Sequence, residues 1–264
     1  MPTKRLNGID IYWERDGAGP RLLFFNGSGS TIERMRPLLG VYHEHFDLVI
    51  HDQRGLGRTE IPPGPYSMSE YAADAIALVD GLGWDTFRVI GISFGGMVAQ
   101  EFAVTVPDRI ERMALLCTSP GGAGGSSYPL HQLRTMDVAD RARIGMEIMD
   151  TRFTPEWLAE HPSDRMFAEA MSAAAAAEPG SERERGEVEQ LAARSGHDVW
   201  DRLDRIACPV FIAAGRYDGI APLTNAEAMA SRIPQAELHV YEGGHGFFAQ
   251  DPTALPEVIG FLKG

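Results

Sequence analysis

Three short motifs carry a serine, an aspartate and a histidine that together suit nucleophilic catalysis. Ser93 lies at the centre of Gly91-Ile-Ser93-Phe-Gly95, between a run of β-branched residues and a helix-forming segment. In this setting the glycines permit a sharp strand-to-helix turn that projects the serine hydroxyl above a sheet. A serine hydroxyl is a weak nucleophile near neutral pH, so it needs a histidine base that a carboxylate orients. Both partners are expected at the ends of later strands.

Two candidates for these partners follow Ser93 in the chain. Asp218 comes shortly after the apolar run 210–214, and His245 comes shortly after the apolar run 237–241. The order serine, aspartate, histidine is one in which a nucleophile, its orienting acid and its base occur in known enzymes. The sequence therefore predicts Ser93 as nucleophile, His245 as general base and Asp218 as the acid that orients it.

Apolar runs rich in β-branched residues alternate with segments of helical periodicity. This alternation predicts an α/β fold with a doubly wound, mostly parallel sheet. Asn7-Gly8 favours a tight turn, so an antiparallel hairpin should open the chain, and Ser67 to Glu70 fits a helix-capping box. Strands are predicted at 9–13, 22–25, 46–51, 88–92, 113–118, 210–214 and 237–241, and helices at about 67–81, 94–106, 225–233 and 252–262.

The alternation stops after Thr118. A glycine-rich stretch, 119–127, leads into helix-forming sequence with few β-branched residues up to about Trp200. We expect a core domain from residues 1–119 and 201–264, and a helical insertion at residues 120–200. The insertion contains the alanine run 173–177 and five of the 11 methionines, which suit an adaptable apolar lining: Met136, Met146, Met149, Met166 and Met171.

Composition and charge exclude several classes of protein. The 264 residues carry a formal net charge of −13, which disfavours nucleic acid and anionic membranes as partners. We expect no secretory signal at the N-terminus, and the most apolar window, 89–106, contains Gln100 and Glu101 and so predicts a buried strand and helix rather than a membrane span. The two cysteines cannot build a disulfide framework, so a cytoplasmic location is expected. No motif predicts a metal site.

Taken together, the motifs closely resemble those of the α/β-hydrolase superfamily over nearly the whole chain. The resemblance rests on Phe-Asn26-Gly27-Ser28-Gly29, on the Asp52-Gln-Arg54-Gly55 loop and on the serine, aspartate and histidine motifs. It implies about eight strands flanked by helices, a helical cap, or lid, at residues 120–200 after the sixth strand, and a pocket between core and cap. Within the superfamily the chain is most similar to small esterases, lactonases, enol-lactonases and cofactor-free haloperoxidase or perhydrolase types.

The resemblance also implies roles for further residues. The backbone N–H groups of Ser28 and Phe94 would form the oxyanion hole, although Asn26-Gly27 stands where relatives commonly have His-Gly. Some relatives place their acid directly after the sixth strand, where this chain has Ser119 and no carboxylate. Candidate substrate contacts are Asn26, Gly27, Tyr128, His131, Met149, Trp157 and Phe247.

The leading hypothesis is a serine hydrolase that cleaves a carboxylic ester or lactone through an acyl-enzyme, without cofactor or metal. A carbon-carbon bond hydrolase or a perhydrolase would use the same three residues, and a ligand-sensing protein without turnover could share the fold. Dehalogenases and epoxide hydrolases are disfavoured because they use an aspartate as nucleophile. The oligomeric state stays open, with a homodimer as one option.

The cap also bears on substrate choice. Its apolar residues predict a preference for uncharged, medium-sized acyl or lactone substrates. Against this stand four cap arginines, any of which would bind an acidic group bidentately if it faced inward: Arg134, Arg141, Arg143 and Arg152. The sequence alone does not orient them.

Overall fold

The computed structural model describes residues 3–172 and 180–264, so the predicted alanine run 173–177 lies outside the described residues. Eight strands form one sheet: β1 Thr3–Leu6, β2 Ile9–Asp16, β3 Arg21–Phe25, β4 Asp47–His51, β5 Phe87–Ile92, β6 Ile110–Leu116, β7 Val210–Gly215 and β8 Ala236–Tyr241. Their order is β1-β2-β4-β3-β5-β6-β7-β8. β2 pairs antiparallel with β1 and β4, and the remaining pairs are parallel.

Helices cover both faces of this sheet. They are α1 Ile32–His43, α2 Met68–Gly81, α3 Phe94–Thr105, α4 Leu130–Leu133, α5 Val138–Met149, α6 Pro155–Glu160, α7 Pro162–Ser172, α8 Glu182–Ser195, α9 Leu223–Arg232, α10 Phe247–Gln250 and α11 Ala254–Lys263. Helices α2, α3 and α9 pack on one face, whereas α1 and α11 pack on the other. Alternate residues of β3 enter opposite clusters, since Leu23 and Phe25 join the first and Leu22 and Phe24 the second. This is the predicted α/β-hydrolase architecture.

Local signals placed most of these elements. Asn7 and Gly8 have positive φ angles of 46° and 80° between β1 and β2, as a tight hairpin requires. Ser67 and Glu70 form both halves of a capping box at the start of α2. Helix α1 was not predicted, because Pro37 interrupts its sequence and breaks the helical signal.

Helices α4 to α8 all lie between β6 and β7, where the helical insertion was expected. The last of them, α8, touches the core closely: a Cβ on Gly186 would lie 1.8 Å from the carbonyl oxygen of Gly55. Arg185 of the same helix donates to the carbonyls of Ile61 and Pro62, both at 2.8 Å. We keep the name cap for residues 120–200, and the division into two domains stays an interpretation.

In the part of the chain that the structure describes, no helix is both long and apolar enough to cross a membrane.

Candidate active site

Ser93 lies in a strained turn between β5 and α3. Its backbone has φ 55° and ψ −117°, which is rare for a residue with a side chain. The glycines around it are required by space: a Cβ on Gly91 would lie 2.4 Å from the carbonyl oxygen of Gly95, and one on Gly95 would lie 2.1 Å from that of Phe25. The glycines of the motif therefore allow strand and helix to meet at this angle.

Ser93, His245 and Asp218 form a continuous chain of hydrogen bonds. The Nε2 atom of His245 lies 2.9 Å from the Ser93 hydroxyl, and its Nδ1 atom lies 2.8 Å from Oδ2 of Asp218. The side chain of Asp218 is fully shielded, whereas 12% of that of His245 remains exposed. An ionised carboxylate can only accept, so it favours the tautomer in which Nδ1 carries the proton and Nε2 is free to take one from the serine.

The end of α5 supports the loops that carry Asp218 and His245. The carbonyl of Ile148 accepts the N–H of Gly219 at 3.0 Å, and that of Met149 accepts the N–H of His245 at 2.6 Å. Met149 was predicted as a substrate contact through its side chain. Its backbone also positions the histidine loop, a contact that the residue type alone does not indicate.

A buried polar network next to this point was missing from the sequence-based prediction. The fully buried carboxylate of Asp150 accepts from Arg152 at 2.6 and 2.9 Å and from Gln250 at 3.0 Å. Gln250 in turn accepts the N–H of Gly244, next to His245, at 2.9 Å. The three side chains come from the cap and from α10, and no local motif joins them. They brace the histidine loop against the cap.

The loop after β3 lies against Ser93. A Cβ on Gly27 would lie 3.6 Å from the Ser93 Cβ. The side chain of Asn26 is fully buried and stabilises the loop through two hydrogen bonds. It accepts from Gln53 at 2.6 Å and donates to the carbonyl of Ser30 at 3.1 Å. Phe94 begins α3, and the first N–H groups of a helix have no acceptor within the helix.

Helix α8 reaches the same loop from the cap. The Oε1 atom of Gln190 accepts the N–H of Gly29 at 2.7 Å, and Gln190 is fully buried. Its Nε2 atom and the Ser28 hydroxyl are buried without a hydrogen-bond partner among the described residues. Sequence reasoning did not find Gln190, because a single glutamine in a charged helix carries no local signal.

The other predicted substrate contacts are found in different surroundings. Phe247 is fully buried in the second hydrophobic cluster, where its ring stacks on Tyr241 at 5.2 Å. The ring of Trp157 stacks on His161 at 3.7 Å, and its Nε1 atom donates to Asp164 at 2.8 Å. Trp157 packs against the small hydrophobic cluster of the cap.

Tyr128 and His131 lie between the core and α8. The N–H of Tyr128 donates to the carbonyl of Ile220 at 2.7 Å, and its carbonyl accepts from Arg194. The exposed residue His131 contributes to the wall of a cavity of about 110 Å³, which Arg194 also lines.

Three of the four cap arginines named above bind acidic side chains within the cap. Arg134 pairs with Glu184, and Arg152 pairs with Asp150. Arg143, which is exposed, pairs with both Asp140 and Glu147 at 3.0 Å.

Burial governs the titration of several groups around the site. It lowers the pKa of Arg194 to about 10, and the negative charge of Asp218 opposes part of this shift. It also lowers the pKa of His197 to about 4 and raises that of the Cys117 thiol well above its usual value. Arg194 therefore stays charged at neutral pH, whereas His197 is neutral there. Among the described residues, no cluster of three or more His, Cys, Asp or Glu side chains could hold a metal ion.

Comparison with known proteins supports the fold and the class. Residues 20–143 match the family model of the alpha/beta hydrolase fold. The chain is 28% identical to a poly(3-hydroxyalkanoate) depolymerase from Ectopseudomonas oleovorans over 92% of this chain and 84% of that protein. It is 25% identical to 3-oxoadipate enol-lactonase 2 from Acinetobacter baylyi over 91% of this chain and 87% of that protein.

A solved structure covers the whole length. The enol-lactonase from Burkholderia xenovorans LB400 superposes with a TM-score of 0.80 at 22% identity and covers 100% of both chains. At this identity the likeness establishes the fold. The chain thus has the α/β-hydrolase fold, and its similarity to proteins named as hydrolases indicates a hydrolase.

Proposed function

We propose that this enzyme is a serine hydrolase that cleaves a carboxylic ester or lactone through an acyl-enzyme. The observation that carries the proposal is the hydrogen-bond chain from Ser93 through His245 to the buried carboxylate of Asp218. A serine in a strained strand-to-helix turn, hydrogen-bonded to an oriented histidine, is the arrangement that activates a hydroxyl for attack on a carbonyl.

In the first half of the reaction, Nε2 of His245 takes the proton of Ser93 as the hydroxyl oxygen attacks the substrate carbonyl carbon. Asp218 holds the ring and stabilises the imidazolium that forms. The backbone N–H groups of Ser28 and Phe94 would donate to the developing oxyanion. The alcohol then leaves with the proton from His245, and the acyl group stays on Ser93.

In the second half, water attacks the acyl-enzyme while His245 takes its proton. Collapse of the second tetrahedral intermediate restores the serine and releases the acid. For a lactone, alcohol and acid are parts of one product. No cofactor takes part in these steps.

The proposed substrate class is inferred from the names of two relatives. One is named as a depolymerase of a hydroxyalkanoate polyester and another as an enol-lactonase, and both names describe cleavage of an acyl-oxygen bond. A carbon-carbon bond hydrolase and a perhydrolase would use the same three residues, and no contact in the described site favours either. We further infer a cytoplasmic setting from the two free, buried thiols, Cys117 and Cys208.

The test is turnover of a short p-nitrophenyl ester, with an acid quench during the steady state. We expect sustained release of p-nitrophenol and, by mass spectrometry, an acyl group on the peptide that contains Ser93. A ligand-sensing protein would give neither. Sustained turnover with an acyl group on a different residue would contradict the proposed nucleophile.

A further inference from the structure

Arg194, near the end of α8, is a buried cation with unused hydrogen-bond donors. Only 5% of its surface is exposed. Its Nη1 atom donates to the carbonyl of Tyr128 at 2.7 Å, whereas Nε and Nη2 have no acceptor among the described residues. Buried charges are normally paired, because an unpaired one is costly to remove from water. The unpaired donors of Arg194 therefore call for an explanation.

The geometry of the unused donors is specific. Nε and Nη2 lie on one edge of the planar guanidinium, and their N–H groups point in parallel. This edge matches the two oxygens of a carboxylate and binds them bidentately. The bond from Nη1 to Tyr128 uses the other side of the group and helps to fix its plane. Neither Nε nor Nη2 is exposed to solvent in this conformation, so the side chain must turn before these donors face a ligand.

A small cavity adjoins this arginine. Its volume is about 110 Å³, and its wall includes Arg194 together with serines from the core, the glycine-rich stretch and α8: Ser119, Ser126, Ser127 and Ser195. At about 30 Å³ per water molecule, this is room for a carboxylate on a short stem. None of the described residues that form the wall is acidic. Although the chain has a net charge of −13, this wall carries an arginine and no acidic residue, which suits a negatively charged group.

The cavity lies next to the proposed catalytic residues. Met97, in its wall, follows Ser93 by one turn of α3. Ser119, also in the wall, follows Thr118, whose hydroxyl donates to the carbonyl of Ser93 at 2.8 Å. The charge of Asp218 acts on the titration of Arg194, which places the two groups within electrostatic reach. These contacts place one wall of the cavity within a helical turn of Ser93.

We propose that this cavity is an acid-binding subsite, in which a small turn of the Arg194 side chain presents its Nε and Nη2 atoms to a carboxylate of the substrate. The inference rests on the hydrolase function proposed above and adds a substrate class to it: esters or lactones that carry a second, free carboxylate. The sequence analysis predicted a preference for uncharged substrates. It named four other cap arginines as candidates for binding an acidic group and did not name Arg194.

The test compares three pairs of substrates by pH-stat. The monomethyl esters of succinic, glutaric and adipic acid are each paired with the methyl ester of the monocarboxylic acid of equal chain length. Both kcat and KM are measured for the wild type, Arg194→Gln, Arg194→Lys and the control Arg143→Gln. The control makes the same change in net charge on the exposed face of α5. Urea unfolding of each variant checks that it is folded.

We expect the wild type to prefer at least one carboxylated ester over its neutral partner by about tenfold or more in kcat/KM, the scale of one charged, bidentate contact. Arg194→Gln should remove this preference, mainly by raising KM for the carboxylated ester. Arg194→Lys should retain only part of the preference. Arg143→Gln should leave the preference unchanged. If Arg194→Gln does not fold, the preference of the wild type and the Arg194→Lys result decide.

Two outcomes would overturn the subsite. In the first, the wild type turns over neutral esters but prefers none of the three carboxylated ones, which leaves the hydrolase function intact. In the second, Arg194→Gln lowers kcat/KM equally for both members of each pair, which would give Arg194 a structural role. A failure of the hydrolase function is different, because neither kind of ester would then be turned over.

Discussion

Asp218 contributes its two carboxylate oxygens to different tasks. Oδ1 accepts the N–H groups of Ile220 and Ala221, each at 2.8 Å, and so shapes the loop after β7. Oδ2 faces Nδ1 of His245. One oxygen thus fixes the carboxylate in place while the other orients the histidine. This division allows the orienting role to be tested separately from the folding of the loop.

In Asp218→Asn, the amide oxygen can keep both backbone contacts while the amide NH₂ faces His245. Because that group donates, it favours the tautomer with the proton on Nε2, which cannot accept the proton of Ser93. We expect kcat to fall by about 10⁴-fold with little loss of stability. Steady-state kinetics and urea unfolding check this. Wild-type kinetics would mean that another group orients His245.

The residues of the candidate site differ in how well they can be predicted from the sequence. Ser93, Asp218 and His245 could be proposed together from sequence because each lies in a short motif at a strand end, and their side chains lie within hydrogen-bonding distance of one another. Gln190 and Arg194 were not identified, because their contacts join them to residues 161 and 66 positions away. A polar residue in a charged helix is usually a solvated one, and only the fold shows that these two are buried.

At the scale of elements, α8 connects the cap to the loop that would hold the oxyanion. Gln190 contacts Gly29, Gly186 packs on Gly55, and Arg185 binds the segment at 61–62. The position of this helix therefore sets the position of the loop beside Ser93. The sequence predicted helices in this region, but its periodicity gave no information on which core loop each helix contacts.

Gln190→Met keeps the approximate volume of the side chain but removes the acceptor for the Gly29 N–H. If Gln190 positions the loop for the transition state, kcat should fall by about tenfold or more while KM changes little. Gln132→Met, at an exposed position of α4, is the matched control. A drop in stability with unchanged kcat would show that the contact is only structural.

At the scale of the whole molecule, two buried histidines couple folding to pH. Burial lowers the pKa of His51, at the end of β4, and of His197 to about 4 each. The usual value is about 6.5, so between about pH 6.5 and 4 the unfolded chain binds more protons than the folded one. The free energy of unfolding should therefore rise with pH across this window.

Burial raises the pKa of Asp52 and of Asp74, so the folded chain holds their protons more tightly than the unfolded chain does. Where these carboxyl groups titrate, they make the free energy of unfolding fall as the pH rises. We expect the histidines to dominate between pH 6.5 and 4.5, with an upper bound of about 3 kcal/mol for each. Urea unfolding at several pH values measures the slope. His51→Leu should reduce it, and an unchanged slope in that variant would rule out His51 as a source.

The general form of the molecule follows from sequence patterns that repeat along it. Runs of β-branched residues separated by helical periods predicted a doubly wound, mostly parallel α/β sheet, since strands buried on both faces leave a continuous apolar signal. The count of about eight strands came from the resemblance to the α/β-hydrolase superfamily, and the sheet has eight. What the pattern did not contain is the docking of the cap. That docking depends on individual close contacts, such as the carbonyl of Met149 on the His245 N–H.

Covalent labelling tests whether Ser93 is the nucleophile of a hydrolase. Wild type and Ser93→Ala are treated with a fluorophosphonate, the adduct is measured by intact mass, and turnover of a neutral p-nitrophenyl ester is measured in parallel. We expect one adduct per wild-type chain, none on Ser93→Ala, and a loss of turnover of roughly 10⁴ to 10⁶-fold in the variant. Labelling of Ser93→Ala, or turnover by this variant within tenfold of wild type, would show that Ser93 is not the nucleophile.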